Sequence, residues 1–328
     1  MKAFAYVNAA NEKDALASLG TERNQVLAIG GGMDLLGMMK DYIVQPDRLV
    51  NVKRLDATIS RTPDGGLRIG SAVRLVELIE HADARRMYPA LVELAEQVGT
   101  PQIRNAGTIG GNLNQRPRCW YFRNEEFHCL KKGGATCFSV NGENQFHAIF
   151  GEGPCHIVHP SNLAVAMLAY GATFRVAGAS GEREVEAERY FEMPDHNLYA
   201  ENVLQPNELL THVTLPAPAA GLKSAAYEVR FKQAHDWPLA FATAALTMEG
   251  RMIRTARIVM GAVAPVPWRS NEAERALAGK TLDEQTAEQA ALAAVQGAKP
   301  MSRNGYKVRI ARTAVERAIL KAGGLKVV

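Results

Sequence analysis

Thiols are absent from most of this chain, because its four cysteines all lie between residues 119 and 155. No two of them are separated by only two residues, which excludes a C-x-x-C redox motif, and the close pairs typical of structural zinc sites are missing as well. Four cysteines are also too few for a disulfide scaffold in a chain of 328 residues. The cysteines therefore indicate a reducing compartment or a bound cofactor.

Long apolar runs and blocks of like charge are also absent. No segment approaches the roughly 20 apolar residues that span a membrane, and the first residues lack the apolar core of a signal peptide. The net charge of +4 is small, and no cluster of lysine and arginine indicates a nucleic acid or an anionic membrane as a partner. We expect a soluble, intracellular chain without direct membrane insertion.

The order of predicted strands and helices indicates an α+β protein of two parts. Short strands alternate with helices up to a proline-rich exit at Pro216 and Pro218, after which come three long antiparallel strands and alanine-rich helices. We predict a domain boundary there, with domains 1–220 and 221–328. Within the first domain, residues 100–113 (TPQIRNAGTIGGNL) are predicted to form a strand and a turn.

The first candidate binding motif is a glycine turn, LAIGGGMDLL, between a predicted strand and a predicted helix. Gly30, Gly31 and Gly32 permit positive φ angles and let several amides point the same way, which suits a pyrophosphate at a helix N-terminus. The spacing is not the GxGxxG of a Rossmann dinucleotide site. An ordinary strand–helix turn is the alternative interpretation.

A second glycine turn, NAGTIGGNLNQ, strengthens the first. Gly110 and Gly111 permit a close backbone approach, while the Thr108 hydroxyl and the Asn112 amide supply hydrogen bonds. Two such turns match the two sides of one diphosphate, so the pair predicts a phosphate-binding site more strongly than either turn alone.

Two weaker motifs lie further along the chain. In HPSNLAVAML, Ser161 and Asn162 precede a predicted helix, and capping of that helix is the favoured explanation for Ser161. In VRFKQAHDWPLA, Lys232 and Asp236 are candidate charged site residues, and exposed surface charges are the favoured alternative.

The cysteine spacing, C-x9-C-x7-C-x17-C, leaves several interpretations open. Zinc is compatible but not indicated, and four buried free thiols are a further alternative. An iron–sulfur cluster tolerates irregular spacing, and four thiolates are its full ligand set. Four histidines near the cysteines stay unassigned because the thiols already complete such a cluster; they are His128, His147, His156 and His159.

These motifs together resemble a known family. In order and spacing, LAIGGGMDLL, RNAGTIGGNL, HPSNLAVAM and RFKQAHD are similar to the FAD-binding subunit of molybdenum hydroxylases, the group of xanthine dehydrogenase, aldehyde oxidoreductase and carbon monoxide dehydrogenase. The segment NLNQRPRCWYF resembles the medium subunit of bacterial aldehyde oxidoreductases, in which an insertion with four cysteines binds a 4Fe–4S cluster.

The resemblance implies a fold and a set of partners. The fold is a two-subdomain α/β FAD-binding domain, with subdomains at about 1–55 and 56–220 and an insertion at about 115–158, followed by an α+β C-terminal domain. A large subunit with molybdopterin and a small subunit with 2Fe–2S clusters are the implied partners. This chain would pass their electrons through FAD to an external acceptor. A cytoplasmic location is expected, or a periplasmic one if a partner with an export signal carries the complex.

The resemblance also assigns residues. The cofactor-binding positions are Leu27, Ala28, Ile29, Gly30, Gly31, Gly32, Met33, Asp34, Leu35, Thr108, Ile109, Gly110, Gly111, Asn112, Asn162, Leu210 and Lys232. The cluster ligands are Cys119, Cys129, Cys137 and Cys155. No catalytic residue is assigned to this chain. Asn162 stands where the family commonly has aspartate, so a cofactor contact there lacks the charge.

Two other functions stay open at this point. A stand-alone flavin oxidase of the same FAD fold would need its own substrate pocket, and a zinc-stabilised assembly module would need no flavin chemistry at all. Iron, zinc and FAD contents distinguish the three hypotheses.

Overall fold

The structure is a computed structural model that describes residues 1–232 and 235–327. The strands are β1 (Ala5–Asn8), β2 (Val26–Ile29), β3 (Arg48–Asn51), β4 (Ile59–Arg61), β5 (Leu67–Gly70), β6 (Thr173–Gly178), β7 (Gly181–Glu186), β8 (Glu208–Leu215), β9 (Leu222–Val229), β10 (Ala240–Glu249), β11 (Met252–Gly261) and β12 (Trp268–Arg269). The α-helices are α1 (Glu12–Ser18), α2 (Leu35–Lys40), α3 (Leu75–Glu80), α4 (Ala82–Met87), α5 (Pro89–Glu96), α6 (Pro101–Ala106), α7 (Ile109–Leu113), α8 (Trp120–Arg123), α9 (Asn162–Ala169), α10 (Ala187–Tyr190), α11 (Asn271–Leu277), α12 (Glu284–Ala294) and α13 (Tyr306–Ala322).

The first unit is a small parallel sheet of three strands in the order β1-β3-β2. Parallel neighbours need a crossover, and here helices α1 and α2 provide it. Asn11 caps α1, since its side chain accepts a hydrogen bond of 2.9 Å from the Asp14 amide. The predicted glycine turn follows β2, at the carboxyl edge of this sheet.

The second unit is an antiparallel sheet of five strands in the order β4-β5-β8-β6-β7. Helices α3 to α7 lie between β5 and β6 in the chain. The prediction of a strand at residues 100–113 is wrong, because helices α6 and α7 form there. The side chains of Thr100 and Thr108 cap these helices, and Pro101 occupies the first position of α6, where its missing amide costs nothing.

The third unit is an antiparallel sheet of four strands in the order β12-β11-β10-β9. Helices cover it on both sides, so β10 is almost wholly buried. Phe241 and Ala245 face the core shared with α5 and α9, while Ala242, Ala244 and Leu246 face the core shared with α11 to α13. The small alanine side chains let helices approach this strand closely from both faces.

Residues 115–158 form a mostly irregular insertion between the first and third units. Near its start, Phe122 and Cys129 join the apolar core around Met38 and Met39 of α2. Towards its end, Asn144 donates a hydrogen bond of 3.0 Å to the Ser302 hydroxyl, just before α13. No helix in the described part of the chain is long and apolar enough to cross a membrane.

Candidate functional site

A cleft of about 630 Å³ opens where the first unit meets the second. This volume is in the range of small-molecule and cofactor sites. Fifteen of the seventeen predicted cofactor residues line it, and these are Leu27, Ala28, Ile29, Gly30, Gly31, Gly32, Met33, Asp34, Leu35, Thr108, Gly110, Gly111, Asn112, Asn162 and Leu210. The chain therefore brings its two glycine turns, the start of α9 and the middle of β8 to one place.

The first glycine turn presents its amides to the cleft. No described residue accepts a hydrogen bond from the amides of residues 30–34, and Gly32 has a φ of +73°, which glycine adopts without strain. These are the donors that an anion would need. The turn is also a packing element, since a Cβ on Gly31 would overlap the carbonyl oxygen of Ala106 and one on Gly30 would lie 2.7 Å from Thr108 Oγ1.

The second glycine turn is arranged differently. The amides of Ile109 and Gly110 donate to the carbonyl oxygens of Val73 and Ser71, both at 2.8 Å, so they are not free for a ligand. This turn therefore contributes the Thr108 hydroxyl to the cleft, together with the backbone surface of Gly110 and Gly111. Ile109 itself is fully buried and does not line the cleft.

Asp34 connects the first glycine turn to the insertion. Its carboxylate accepts hydrogen bonds from Arg118, from Arg123 at 2.6 Å and from the Arg116 amide at 2.8 Å. Burial alone would raise the pKa of Asp34, but the two guanidinium groups and the amide outweigh it and hold that pKa below its usual range. Arg118 also lies over the Trp237 ring, 4.7 Å from its centroid, at the mouth of the cleft.

We expect Asp34→Asn to lower the free energy of unfolding by about 2 kcal/mol, less than for a fully buried pair, because two arginines lose their common anion. The contribution is present above the ordinary aspartate pKa of about 3.9 and is lost as pH falls through the lower folded-state value. Denaturant unfolding at pH 7 and at pH 3 measures both effects. Asp47→Asn is the control, since that carboxylate pairs with Lys2 on the surface and its loss should change little.

The motif at the start of α9 both caps the helix and builds the cleft wall. The Ser161 hydroxyl caps α9 and donates to Asn112 Oδ1 at 2.6 Å. The Asn162 amide donates to the buried Glu228, whose other oxygen pairs with Arg230. Burial raises the pKa of Glu228 despite its arginine partner. An aspartate at position 162 would be repelled by the Glu228 carboxylate, whereas the neutral Asn162 donates a hydrogen bond to it.

Two further predicted positions differ in their placement. Leu210 is buried in β8 and lines the cleft. Lys232 is exposed and does not line it, although His235, Asp236 and Trp237 from the same loop do. The Lys232 amide donates to Asp236 Oδ2 at 3.2 Å. Residues 233 and 234 of the RFKQAHD motif lie outside the described residues.

The four cysteines surround a second, much smaller cavity of about 20 Å³. All of them line it, although they are spread over the whole insertion, and all are free thiols. Burial raises the pKa of Cys119 to about 11. A hydrogen bond with Cys155 lowers the pKa of Cys137 to about 5 and raises that of Cys155. Within residues 1–232 and 235–327, no three His, Cys, Asp or Glu side chains are arranged to hold a metal ion.

A buried ion network flanks this cavity, and the sequence analysis missed it. Lys131, which lines the cavity, donates to Glu201 at 2.7 Å, and Arg116 pairs with the same carboxylate at 2.6 Å. Arg116 and Arg118 also line the cleft. The available signal was the density of arginines in RPRCWYFR, but nothing in the sequence identifies the distant carboxylates that bind them.

Comparison with known proteins identifies the family. The sequence model of the FAD binding domain in molybdopterin dehydrogenase matches residues 2–218, more than half of the chain. The chain belongs to the FAD-binding subunits of the molybdenum hydroxylase family. A second family model, the CO dehydrogenase flavoprotein C-terminal domain, matches residues 225–322. The family resemblance and the α+β fold predicted from the sequence are confirmed.

Individual relatives of this FAD-binding subunit support the assignment. It is 32% identical to the aldehyde oxidoreductase FAD-binding subunit PaoB of Escherichia coli K12, over 98% of this chain and 99% of the relative. It is 26% identical to the carbon monoxide dehydrogenase medium chain of Hydrogenophaga pseudoflava, over 93% and 92%. The crystal structure of quinoline 2-oxidoreductase from Pseudomonas putida 86 superimposes with a TM-score of 0.77 at 25% identity, covering 99% of both chains. This chain is therefore an FAD-binding oxidoreductase subunit.

Proposed function

We propose that this chain is the FAD and 4Fe–4S electron-transfer subunit of a heterotrimeric molybdenum-dependent oxidoreductase that acts on an aldehyde or an N-heterocycle. The observation that carries the proposal is the position of the insertion. Arg118 lines the flavin cleft, and the next residue, Cys119, lines the cysteine cavity. Two electron carriers bound in these cavities would be immediate neighbours, as transfer between them requires.

The cleft residues fit FAD. The unpaired amides of residues 30–34 would hold the diphosphate, and the Thr108 hydroxyl would contact it from the second turn. The apolar Leu210 would lie against the flavin side, and Asn162 would accept a hydrogen bond through its carbonyl oxygen, because its amide already donates to Glu228. When bound, a flavin accepts two electrons and can release them singly or as a pair. Lys232 would reach the flavin only from the exposed loop.

The chemistry of the four thiols that line the cysteine cavity supports the proposed 4Fe–4S cluster. Four thiolates around one small space repel one another, and a cluster with four irons would compensate their charge while giving each sulfur its own iron. The buried ion pair of Lys131 and Glu201 would hold the surrounding loop in place. Cys119, Cys129, Cys137 and Cys155 are the proposed ligands.

The proposed assembly follows from the relatives. The carbon monoxide dehydrogenase relatives are medium chains, and we propose that this chain likewise joins a molybdopterin-binding large subunit and a 2Fe–2S small subunit. An external acceptor would receive the electrons from this chain. We further propose the domain division 1–220 and 221–328, and a cytoplasmic complex unless a partner exports it.

Metal and flavin analysis of the purified native complex tests the proposal. With two 2Fe–2S clusters on the partner and one 4Fe–4S cluster here, we expect about eight irons and one molybdenum per FAD, with matching acid-labile sulfide. About four irons per FAD would limit the clusters to the partner. One zinc per chain would favour the assembly module, and turnover of a simple substrate by the isolated chain would favour a stand-alone flavin oxidase.

A further inference from the structure

His147 faces the cysteine cavity from the far end of the insertion. Its ring lines the cavity, and its Nε2 lies 3.3 Å from Cys119 Sγ. The residue is only 4% exposed, and its ring packs against those of Trp120 and Tyr121, each with a centroid distance of 6.3 Å. The contact is therefore shielded from water, where a hydrogen bond to sulfur is strongest.

The direction of the proton in this contact follows from the surroundings. No described residue forms a hydrogen bond with His147 Nδ1. A proton on Nδ1 would therefore leave a buried N–H without an acceptor, and would turn the lone pair of Nε2 towards an electron-rich sulfur. With the proton on Nε2, the buried N–H of the ring points at the Cys119 sulfur, which can accept its hydrogen bond.

The backbone of His147 is fixed from the third unit. Its carbonyl oxygen accepts hydrogen bonds from Lys307 Nζ and Asn304 Nδ2, both at 3.0 Å. Lys307 is itself fully buried at the start of α13, and its Nζ also donates to the Ala262 carbonyl at 2.7 Å. The backbone of His147 is thus anchored by Asn304 and by Lys307 of α13, and not by the irregular insertion alone.

We infer that His147 is a positioning residue. Its Nε2–H donates a hydrogen bond to the Cys119 sulfur and thereby raises the reduction potential of the cluster that this sulfur binds. The inference rests on the proposed 4Fe–4S site. Hydrogen bonds to cluster sulfurs are one of the factors that set these potentials. The reduced cluster carries one more negative charge, so a donor at its ligand stabilises the reduced form more than the oxidised form.

A redox titration of the holo complex, followed by electron paramagnetic resonance, tests this inference. We expect His147→Leu to lower the equilibrium constant for cluster reduction about tenfold, a shift of ~59 mV to lower potential for one electron. His147→Gln keeps an N–H donor of similar reach, so it should restore at least half of the shift. Iron and acid-labile sulfide should match the wild type in both variants.

Four results would overturn the inference. Wild-type potentials in both variants would mean that the contact does not act on the cluster, and equal shifts in both would indicate packing rather than a hydrogen bond. If His147→Leu loses iron, wild-type protein labelled with ¹⁵N-histidine decides instead: nitrogen hyperfine coupling to the reduced cluster supports the inference, and its absence refutes it. A wild-type complex without iron on this chain would refute the proposed function as well, whereas an unshifted potential leaves that function intact.

Discussion

Gly31→Ala is expected to weaken FAD binding roughly tenfold to a hundredfold. The added Cβ would overlap the carbonyl oxygen of Ala106 and lie 2.9 Å from Gly107 Cα, and both are backbone atoms that no side-chain rotation can move. Overpacking of this kind typically costs about 1–3 kcal/mol. If this cost destabilises the conformation that binds FAD, it corresponds to the stated loss in affinity. The two glycine turns would separate, and the free amides of the first would no longer face the second.

Gly37→Ala is the matched control for this variant. Gly37 lies six residues further along the same segment, in α2, and apart from its neighbours and the backbone of α2 no atom of the described residues lies within 4 Å of an added Cβ there. Alanine should leave FAD affinity unchanged and stabilise the helix by up to about 1 kcal/mol. Titration of the flavin-free complex with FAD, followed by fluorescence quenching, measures both affinities. Equal affinities in the two variants would contradict the proposed role of the first turn.

Local sequence patterns predicted the cleft because its parts are local. In this chain a strand followed by three glycines and a helix leaves unpaired amides at a sheet edge, and the same residues line the cleft. The long alternating and alanine-rich strands of the third unit were likewise predictable from periodicity. The error at residues 100–113 has a local cause as well, since Thr100 and Thr108 are helix caps that each precede a short helix.

The contacts that join the insertion to the remainder of the protein were not predictable. Asp34 binds Arg118 at a separation of 84 residues, and Asn304 binds the His147 carbonyl at a separation of 157. Charge and amide patterns in one segment do not specify which distant partner they meet. The arginines that bind the Asp34 carboxylate were therefore not predicted, and Lys307 and His147 received no role until the fold brought them together.

Cys129→Ser is expected to remove nearly all of the cluster iron from this chain while leaving FAD bound. A 4Fe–4S cluster with four thiolate ligands loses one of them, and the serine hydroxyl is a poor substitute for a soft thiolate at iron. Cys129 lines the cysteine cavity but not the flavin cleft, so the amides of residues 30–34 keep their arrangement. The complex should retain about four irons, those of the partner subunit, with FAD and molybdenum unchanged.

Val140→Ser is the control for this variant, because Val140 is an exposed residue of the same insertion and does not line the cysteine cavity. Its iron content should equal that of the wild type. Iron, acid-labile sulfide and FAD are measured on the same preparations, together with the low-temperature resonance of the reduced complex. An unchanged iron content in Cys129→Ser would exclude this cysteine as a ligand, whereas parallel loss of iron and FAD would show that the insertion is required for the cleft itself. A collapsed insertion would disturb the first glycine turn through the ion pairs of Asp34 and through the packing of Phe122 and Cys129 against Met38 and Met39.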